Sequence, residues 1–304
     1  MSNLFTNRVF GCSIIKSINS NYNADFSHQP RTLPNGTVYA TDKVLKYSVR
    51  NYWKNVQNEK VFYSKSLTDD MSPRTLDETL ELHFGKIDEK DKNLLRLKVL
   101  KNILSCIDVR VFGGTYAGKT NISIHGTCQI THGVNRFSEN VIYSEQIMSP
   151  FRNPSEKNAD STMTTLGTQS KLQEGHYVHH FSVNPKNIEE DAKRVGTDGL
   201  TIQDIDKLKE GLRKGVTYYD SAAKAGTENE LLLWVQLKTD SKIVLPSFVE
   251  LVTIKEDKTI DLQSISTLLS KVHVKGEIEK IELYYNTSIT KVENIPSNTS
   301  ILEL

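Results

Sequence analysis

Cysteine is scarce. Cys12, Cys106 and Cys128 are the three in a chain of 304 residues, far apart and in no C-x-x-C spacing. Neither a disulfide framework nor a thiolate zinc site is expected, and a reducing, cytoplasmic compartment fits. Long apolar runs are missing too, so no segment is long enough to cross a bilayer as a helix. The opening residues MSNLFTNR lack the apolar centre of a secretory signal. The chain shows no internal repeat and no low-complexity tract. The net charge is only +1, which excludes a chain-wide polyanion-binding signature. No resident metal, organic cofactor or membrane partner is expected.

The charge that is present is unevenly spread. Residues 1–60 carry Arg8, Lys16, Arg31, Lys43, Lys46, Arg50, Lys54 and Lys60 against Asp25, Asp42 and Glu59, and the last third of the chain leans acidic. The most informative stretch is 10–54. It reads as a strand, a polar loop with Asn19, Asn21, Asn23, Asp25 and Arg31, and a helix from Thr41 to Lys54.

At 100° per residue the helix divides cleanly. Val44, Leu45, Val49, Tyr52 and Trp53 fall on one side. Lys43, Lys46, Arg50 and Lys54 fall on the other within an arc of roughly 80°. Cations on one face with no acidic partner four residues on repel one another, and a bound polyanion relieves that repulsion. The neighbouring amides suit phosphate and sugar. The bland alternative is a solvated face. The reading requires Lys46 and Arg50 to stand free. It fails if they lie in a packed interior or are tied to carboxylates of their own chain.

Further on, 57–103 reads as a charged helical insertion with helices at 75–84 and 88–104. Residues 107–112 read as a short strand. Gly113–Thr120, GGTYAGKT, matches the phosphate-loop pattern G-x-x-x-x-G-K-[ST]. That motif needs a helix directly after it. Instead Ile122, Ile124, Cys128 and Ile130 alternate with polar residues, Gln129 among them, which is the period of a strand. A hairpin is therefore expected, with a nucleotidase as the alternative. The polar face of that strand lines a groove for RNA or simply meets water.

Residues 144–173 are too polar and too long for a plain connection. Met148, Phe151, Met163 and Leu166 are the scattered apolar residues in it. A strand at 175–184 carries His176, His179 and His180. His179 faces away from the other two, which stand about 13 Å apart along the strand, so a metal site is not expected. A helix at 201–214 has a capping-box pair in Thr201 and Asp204, a stripe of Ile202, Ile205, Leu208 and Leu212, and Gly215 at its end. Strands are expected at 231–237, 243–254 and 278–285, with a helix near 262–272.

The order of these features resembles a known family. It runs from the N-S-N-x-N-x-D loop (19–25) through Pro30-Arg31 and the Lys46/Arg50 helix to D-V-R-V-F-G (108–113). S-T-M-T-T-L-G-T (161–168), H-F-S-V-N-P (180–185), T-D-G-L-T-x-x-D (197–204) and D-S-A-A-K-A-G (220–226) follow. Over about residues 8–240 the chain resembles the backbone subunit of type I CRISPR Cascade complexes, most closely the I-B branch, the Csh form of the Cas-seven group.

The resemblance implies an α+β fold: an RRM-like, ferredoxin-like palm (1–56, 104–143 and 175–304), helical fingers (57–103) and a protruding β-hairpin thumb (144–174). It implies a non-catalytic subunit that polymerises along a CRISPR RNA and leaves the spacer free to pair with a target DNA strand. Partners are then the RNA, further copies of the chain, a large subunit and an end-capping subunit. RNA contacts fall on Asn19, Asn21, Asn23, Arg31, Thr41, Lys43, Lys46, Arg50 and Gln129. The thumb wedge falls on Met148, Phe151, Met163 and Leu166. The aromatic signature of base-reading RRMs is absent, so bases are not expected to stack on the sheet. Type III relatives cleave RNA with a loop aspartate. Asp25 sits in a comparable loop, so a type III-like backbone ribonuclease using Asp25 is the alternative. A lone aspartate without a paired base or metal cluster is a weak active site, and the expected role is to fix the loop or orient Arg31.

Overall fold

Strand β1 (Val9–Ser20) is buried along nearly its whole length. The cause is its place in the sheet. It pairs antiparallel with β8 (Leu166–Val183) on one edge and with β9 (Thr227–Leu237) on the other. Gly11 permits the close fit there: an added Cβ would lie 2.2 Å from the Leu233 carbonyl oxygen and 2.4 Å from the Phe181 ring. The computed structural model describes residues 3–148 and 166–304.

Between β1 and β8 the chain forms β2 (Tyr39–Ala40), α1 (Asp42–Asn55), α2 (Leu76–Phe84), α3 (Lys92–Leu104), α4 (Ile107–Phe112), β3 (Gly113–Ala117), β4 (Asn121–His125), β5 (Cys128–Ile130), β6 (Gly133–Asn135) and β7 (Ile142–Met148). After β8 come α5 (Glu189–Val195), α6 (Ile202–Tyr218) and β9. The tail adds β10 (Thr253–Ile254), β11 (Ile260–Asp261), α7 (Gln263–Ser270), α8 (Val272–Lys275), β12 (Ile278–Tyr285), β13 (Val292–Glu293) and β14 (Thr299–Leu302). The main sheet runs β14-β12-β9-β1-β8-β6-β2, with β5 and β7 also paired to β8.

Three cores result. On one face Ile15, Tyr177, Phe181, Leu232 and Trp234 pack under α1 and α6. On the other, Phe10, Cys12, Ile14, Val178, Leu231 and Leu233 pack under Leu245, Phe248, Val252, Ile265 and Leu269 of the tail. The central strands are therefore covered twice. The third core belongs to α2, α3, α4 and the β3–β4 hairpin.

Several expectations are corrected. Residues 107–112 are a helix, not a strand: Asp108 is fully buried and accepts the Phe62 and Tyr63 amides at 2.8 and 2.9 Å, and this anchorage overrides β propensity. Helix α4 ends at Gly113, with φ +69°, where a Cβ would meet the Gly126 nitrogen at 2.3 Å. Helix α6 runs past Gly215 to Tyr218. Gly211 and Gly215 lie inside it because a Cβ there would press on Val49 at 2.7 Å and on the Ser48 carbonyl oxygen at 3.1 Å, so they serve close helix packing and not termination. Ile202 is exposed, outside the buried stripe. The 243–254 region is mostly irregular, with a short 3-10 turn at Val249–Leu251 and only two strand residues. Strand β8 begins well before residue 175 and forms a ribbon with β7 from Ile142↔Leu172 to Met148↔Leu166.

Among the described residues no helix is long and apolar enough to cross a membrane.

Candidate nucleic-acid interface

Helix α1 buries Val44, Leu45, Ser48, Val49, Tyr52 and Trp53, as its periodicity predicts. Trp53 fixes its rotation. The indole Nε1 donates to the Lys207 carbonyl of α6 at 2.9 Å, and the ring stacks on Phe112 with centroids 5.1 Å apart. The outer face then carries Lys43, Lys46, Tyr47, Arg50 and Lys54.

The N-terminus of α1 is held from outside. Thr41 has the extended backbone of an N-cap, yet its side chain makes no cap bond. Instead Asn23 Oδ1 accepts both the Thr41 amide at 2.8 Å and the Thr41 hydroxyl at 3.0 Å. Asn23 thereby locks the polar loop to the helix. His132 Nδ1 lies 3.3 Å from the Asp42 amide and 3.6 Å from its carboxylate.

The expectation of four unpartnered cations is overturned for three of them: Lys43 Nζ lies 3.7 Å from Asp42, though it stays mostly in solvent, and Lys46 and Arg50 are held more closely. Lys46 Nζ lies 3.0 Å from Asp42 one turn earlier, and its side chain is only 12% exposed. Burial alone would raise the Asp42 carboxyl, but the Lys46 hydrogen bond and the Lys46, Lys43 and His132 charges outweigh it and hold it below the ordinary range. Arg50 Nε donates to Asp108 Oδ2 at 3.1 Å. The guanidinium also lies 5.2 Å from the Phe112 ring centroid and 5.8 Å from that of Tyr63. Lys46 and Arg50 are thus tied to carboxylates of their own chain, the outcome under which the free-ridge reading fails, and any interface on this face rests chiefly on its other cations. Lys43, 84% exposed, and Lys54 remain open to solvent.

A shallow cleft of about 130 Å³ opens beside this face, lined by Tyr47, Arg50, Asn51, Lys54, Tyr63 and Lys65. Tyr63 and Lys65 went unnoticed in the sequence. The only available signal was an aromatic and a lysine just after a basic helix. The fold brings them back to it because Asp108 pins residues 62–63.

The loop amides do different work from that expected. Asn21 is 4% exposed, and its Nδ2 donates to the His28 and Ser170 carbonyls, so it ties the loop to the ribbon and offers no donor to a ligand. Asn19 is exposed and accepts from the Tyr143 hydroxyl at 3.0 Å. Arg31, half-buried, donates from Nε to the Ala24 carbonyl at 3.1 Å, a bond that does not use its terminal nitrogens. Asp25 Oδ1 accepts from the Gln29 amide, the Ser27 amide and the Ser27 hydroxyl. These bonds, Gln29 foremost, hold its carboxyl below the usual range. Asp25 is spent on the turn, and beyond it Phe26 stands fully exposed.

Gln129 is exposed on β5, with Nε2 donating to the Gly126 carbonyl at 2.9 Å. Its neighbour Cys128 is buried close enough to Lys46 to feel that charge. The phosphate-loop pattern is a hairpin: Gly113–Ala117 pairs antiparallel with Asn121–His125. The Lys119 amide donates to Asp77 at 3.0 Å and its ammonium to Glu81 at 2.9 Å, so the tip is closed by carboxylates and no helix follows. That corrects the nucleotidase alternative built on Gly113–Thr120.

Each of the three histidines has a partner of its own, although His176 Nε2 is buried without a hydrogen bond among the described residues. His176 pairs with Glu230 at 2.6 Å. His179 donates from Nδ1 to the Thr131 carbonyl, and its Nε2 faces the Tyr22 hydroxyl. His180 Nδ1 accepts the Phe248 amide. Of the thumb residues, Met148 is exposed at the end of β7 and Leu166 faces it in the register. Phe151 and Met163 lie outside the described residues, as does the side chain of Leu166.

Residues 7–274 match the family described as CRISPR-associated protein Cas7. No curated protein matches the chain. Two solved structures share its fold. A chain of a "CRISPR RNA-guided surveillance complex, pre-nicking" aligns with a TM-score of 0.60 at 13% identity, covering 98% of this chain and 96% of that one. A chain of a "CRISPR RNA-guided surveillance complex" aligns with a TM-score of 0.50 at 13% identity, covering 95% of each.

Proposed function

The chain belongs to the CRISPR-associated protein Cas7 family, and on that basis we propose that it is a non-catalytic backbone subunit holding a CRISPR RNA in a Cascade-type surveillance complex. The family match across residues 7–274 carries this reading. Partners are the RNA, further copies of the chain, a large subunit and an end-capping subunit, and a target DNA strand reached through guide pairing. The I-B, Csh-type branch is the closer assignment, on the order of motifs along the chain.

The succession β1-α1-β6-β8-α6-β9, with those strands adjacent in one antiparallel sheet, supports a ferredoxin-like palm. The α2–α3 region suits the fingers, extended by α4 and the β3–β4 hairpin that share its core. The β7–β8 ribbon suits the thumb, with Met148 toward its end as one wedge residue.

A guide-holding protein must grip phosphates without reading bases, because pairing carries the sequence. The double cover on β1 and β9 fits that requirement, since bases have no bare strand to stack on. The RNA path is assigned to the outer side of α1 and its cleft: Lys43, Lys54, Lys65 and Arg31 meet phosphates, and Gln129 and Asn19 add neutral donors. Lys46 and Arg50 hold the frame through Asp42 and Asp108. Arg50 adds its two terminal nitrogens, which its Asp108 bond does not use.

The test is purification from a host that expresses the guide RNA. RNA should accompany the wild-type protein, and the doubly reversed Lys43→Glu, Lys54→Glu variant should lose it while keeping its melting temperature. A wild-type protein free of RNA under these conditions refutes the reading.

A further inference from the structure

The loop at 220–226, D-S-A-A-K-A-G, has no role in the interface above. It is stitched to two of the segments that have one. The Ala223 carbonyl accepts the Asn21 amide at 2.7 Å, and the Gly226 carbonyl accepts the Ile18 amide at 2.9 Å. The Ala222 carbonyl accepts Gln169 Nε2 at 3.2 Å from the middle of the ribbon. Apart from Asp220 and Lys224 its side chains are small, so a polymer backbone can approach closely.

Lys224 is unlike the other half-buried lysines. Lys16, Lys46, Lys207 and Lys209 each sit against a carboxylate: Glu228, Asp42, Glu59 and Glu282 respectively. Lys224 turns inward, donates to the Tyr22 carbonyl and lies 5.4 Å from the Tyr22 ring centroid. Among the described residues no carboxylate acts on it, and burial alone pushes its amine down to about 8. An ammonium has three donors, and the Tyr22 carbonyl takes one. Holding a cation partly out of water without a counter-ion is costly, and an anion beside it would offset that cost.

We propose that Lys224 is an anion-binding residue that takes a phosphate of a nucleic-acid backbone where the Asn19–Asn23 loop, the 220–226 loop and the inner half of the β7–β8 ribbon meet. This rests on the RNA-holding reading and adds a contact that the helix α1 face does not provide. The groups facing the amine are Tyr22 and, behind it, Tyr177 and His179. Burial raises both tyrosines and pushes His179 down to about 4, so none of them changes charge near pH 8. A bound phosphate raises the amine, so binding takes up a proton above pH 8.

The test uses the full chain stripped of nucleic acid. A fluorescein-labelled oligouridylate is titrated on either side of pH 8 and over a range of salt, and inorganic phosphate is titrated as the free-anion control. Wild-type affinity should fall as pH rises through 8, while Lys224→Arg, which stays charged, should hold its affinity across that range. Lys224→Met should bind about tenfold more weakly, with a salt slope reduced by about 0.7.

Three results overturn the proposal. One is Lys224→Met with wild-type affinity and slope, which leaves the RNA-holding reading intact. Another is inorganic phosphate binding that depends on Lys224 while oligouridylate binding does not. The third is a wild-type pH profile identical to that of Lys224→Arg, which decides the matter even if Lys224→Met does not fold. A wild-type protein that binds no oligouridylate overturns both readings.

Discussion

Arg50 of helix α1 donates from Nε to Oδ2 of Asp108, 58 residues further along the chain and completely buried. The same carboxylate accepts the Phe62 and Tyr63 amides. One side chain therefore joins helix α1, the strap after it and helix α4. Asp108→Asn leaves the Arg50 charge without its partner, and the expected loss is about 3 kcal/mol. The midpoint of urea unfolding measures it, and a variant as stable as wild type would show that the three-way junction contributes little.

The two held cations and the two open ones separate by mutation. Neutralising Lys43 and Lys54 together should weaken oligouridylate binding by about tenfold, ~1.4 kcal/mol. Asp42→Asn should do the reverse, because it releases Lys46 toward the same ligand. Its cost to the helix N-terminus is small, about 0.3–1 kcal/mol. Weaker binding by Asp42→Asn would mean that the Asp42–Lys46 pair shapes the interface and does not withhold a cation from it.

Asn23 is a positioning residue for α1. Asn23→Ala removes the acceptor of the Thr41 amide, and the expected loss of stability is about 1 kcal/mol. Hydrogen exchange at Thr41 should quicken at the same time. Unchanged exchange there would place the hold on the helix start elsewhere, with His132 the next candidate.

Acid should loosen the sheet through two buried histidines. Burial pushes His179 and His180 down to about 4 each. The unfolded chain binds their protons at about 6.5. Between those values the unfolded state holds more protons, so stability is full above pH 6.5 and is lost as pH falls toward 4. Each histidine contributes on the order of 3 kcal/mol to that slope. Thermal melting across this range should show the decline, and His179→Gln should flatten it. A slope unchanged by His179→Gln would assign the acid sensitivity to other groups.

The periodic elements were legible in the sequence because periodicity reports burial. The buried side of α1, the central strand β1, the alternation Ile122–Ile130 and the Thr201–Asp204 capping box all follow from local pattern. The state of the cations did so only in part. The Asp42–Lys46 pair is a one-turn neighbour and has a local signature, an acid four residues before the base. The Arg50–Asp108 bond has no local signature at all. Residues 107–112 have the alternation of a strand and fold as a helix, because the Asp108 carboxylate has amides to satisfy in another segment. Gly211 and Gly215 read as a helix end and serve helix contact, which only the neighbouring Val49 and Ser48 reveal.

Among the described residues the ribbon is fastened along its inner half. Tyr143 reaches Asn19, Ser170 receives Asn21, and Gln169 reaches Ala222. A load on the outer end of the arm is therefore delivered, through the three paired rungs beyond Gln169, to the two loops that flank Lys224. If copies of the chain stand side by side and the arm leans on a neighbour, the strain arrives where Lys224 turns inward with no carboxylate acting on it among the described residues, so crowding by a neighbour and hold on a strand would be felt at the same spot.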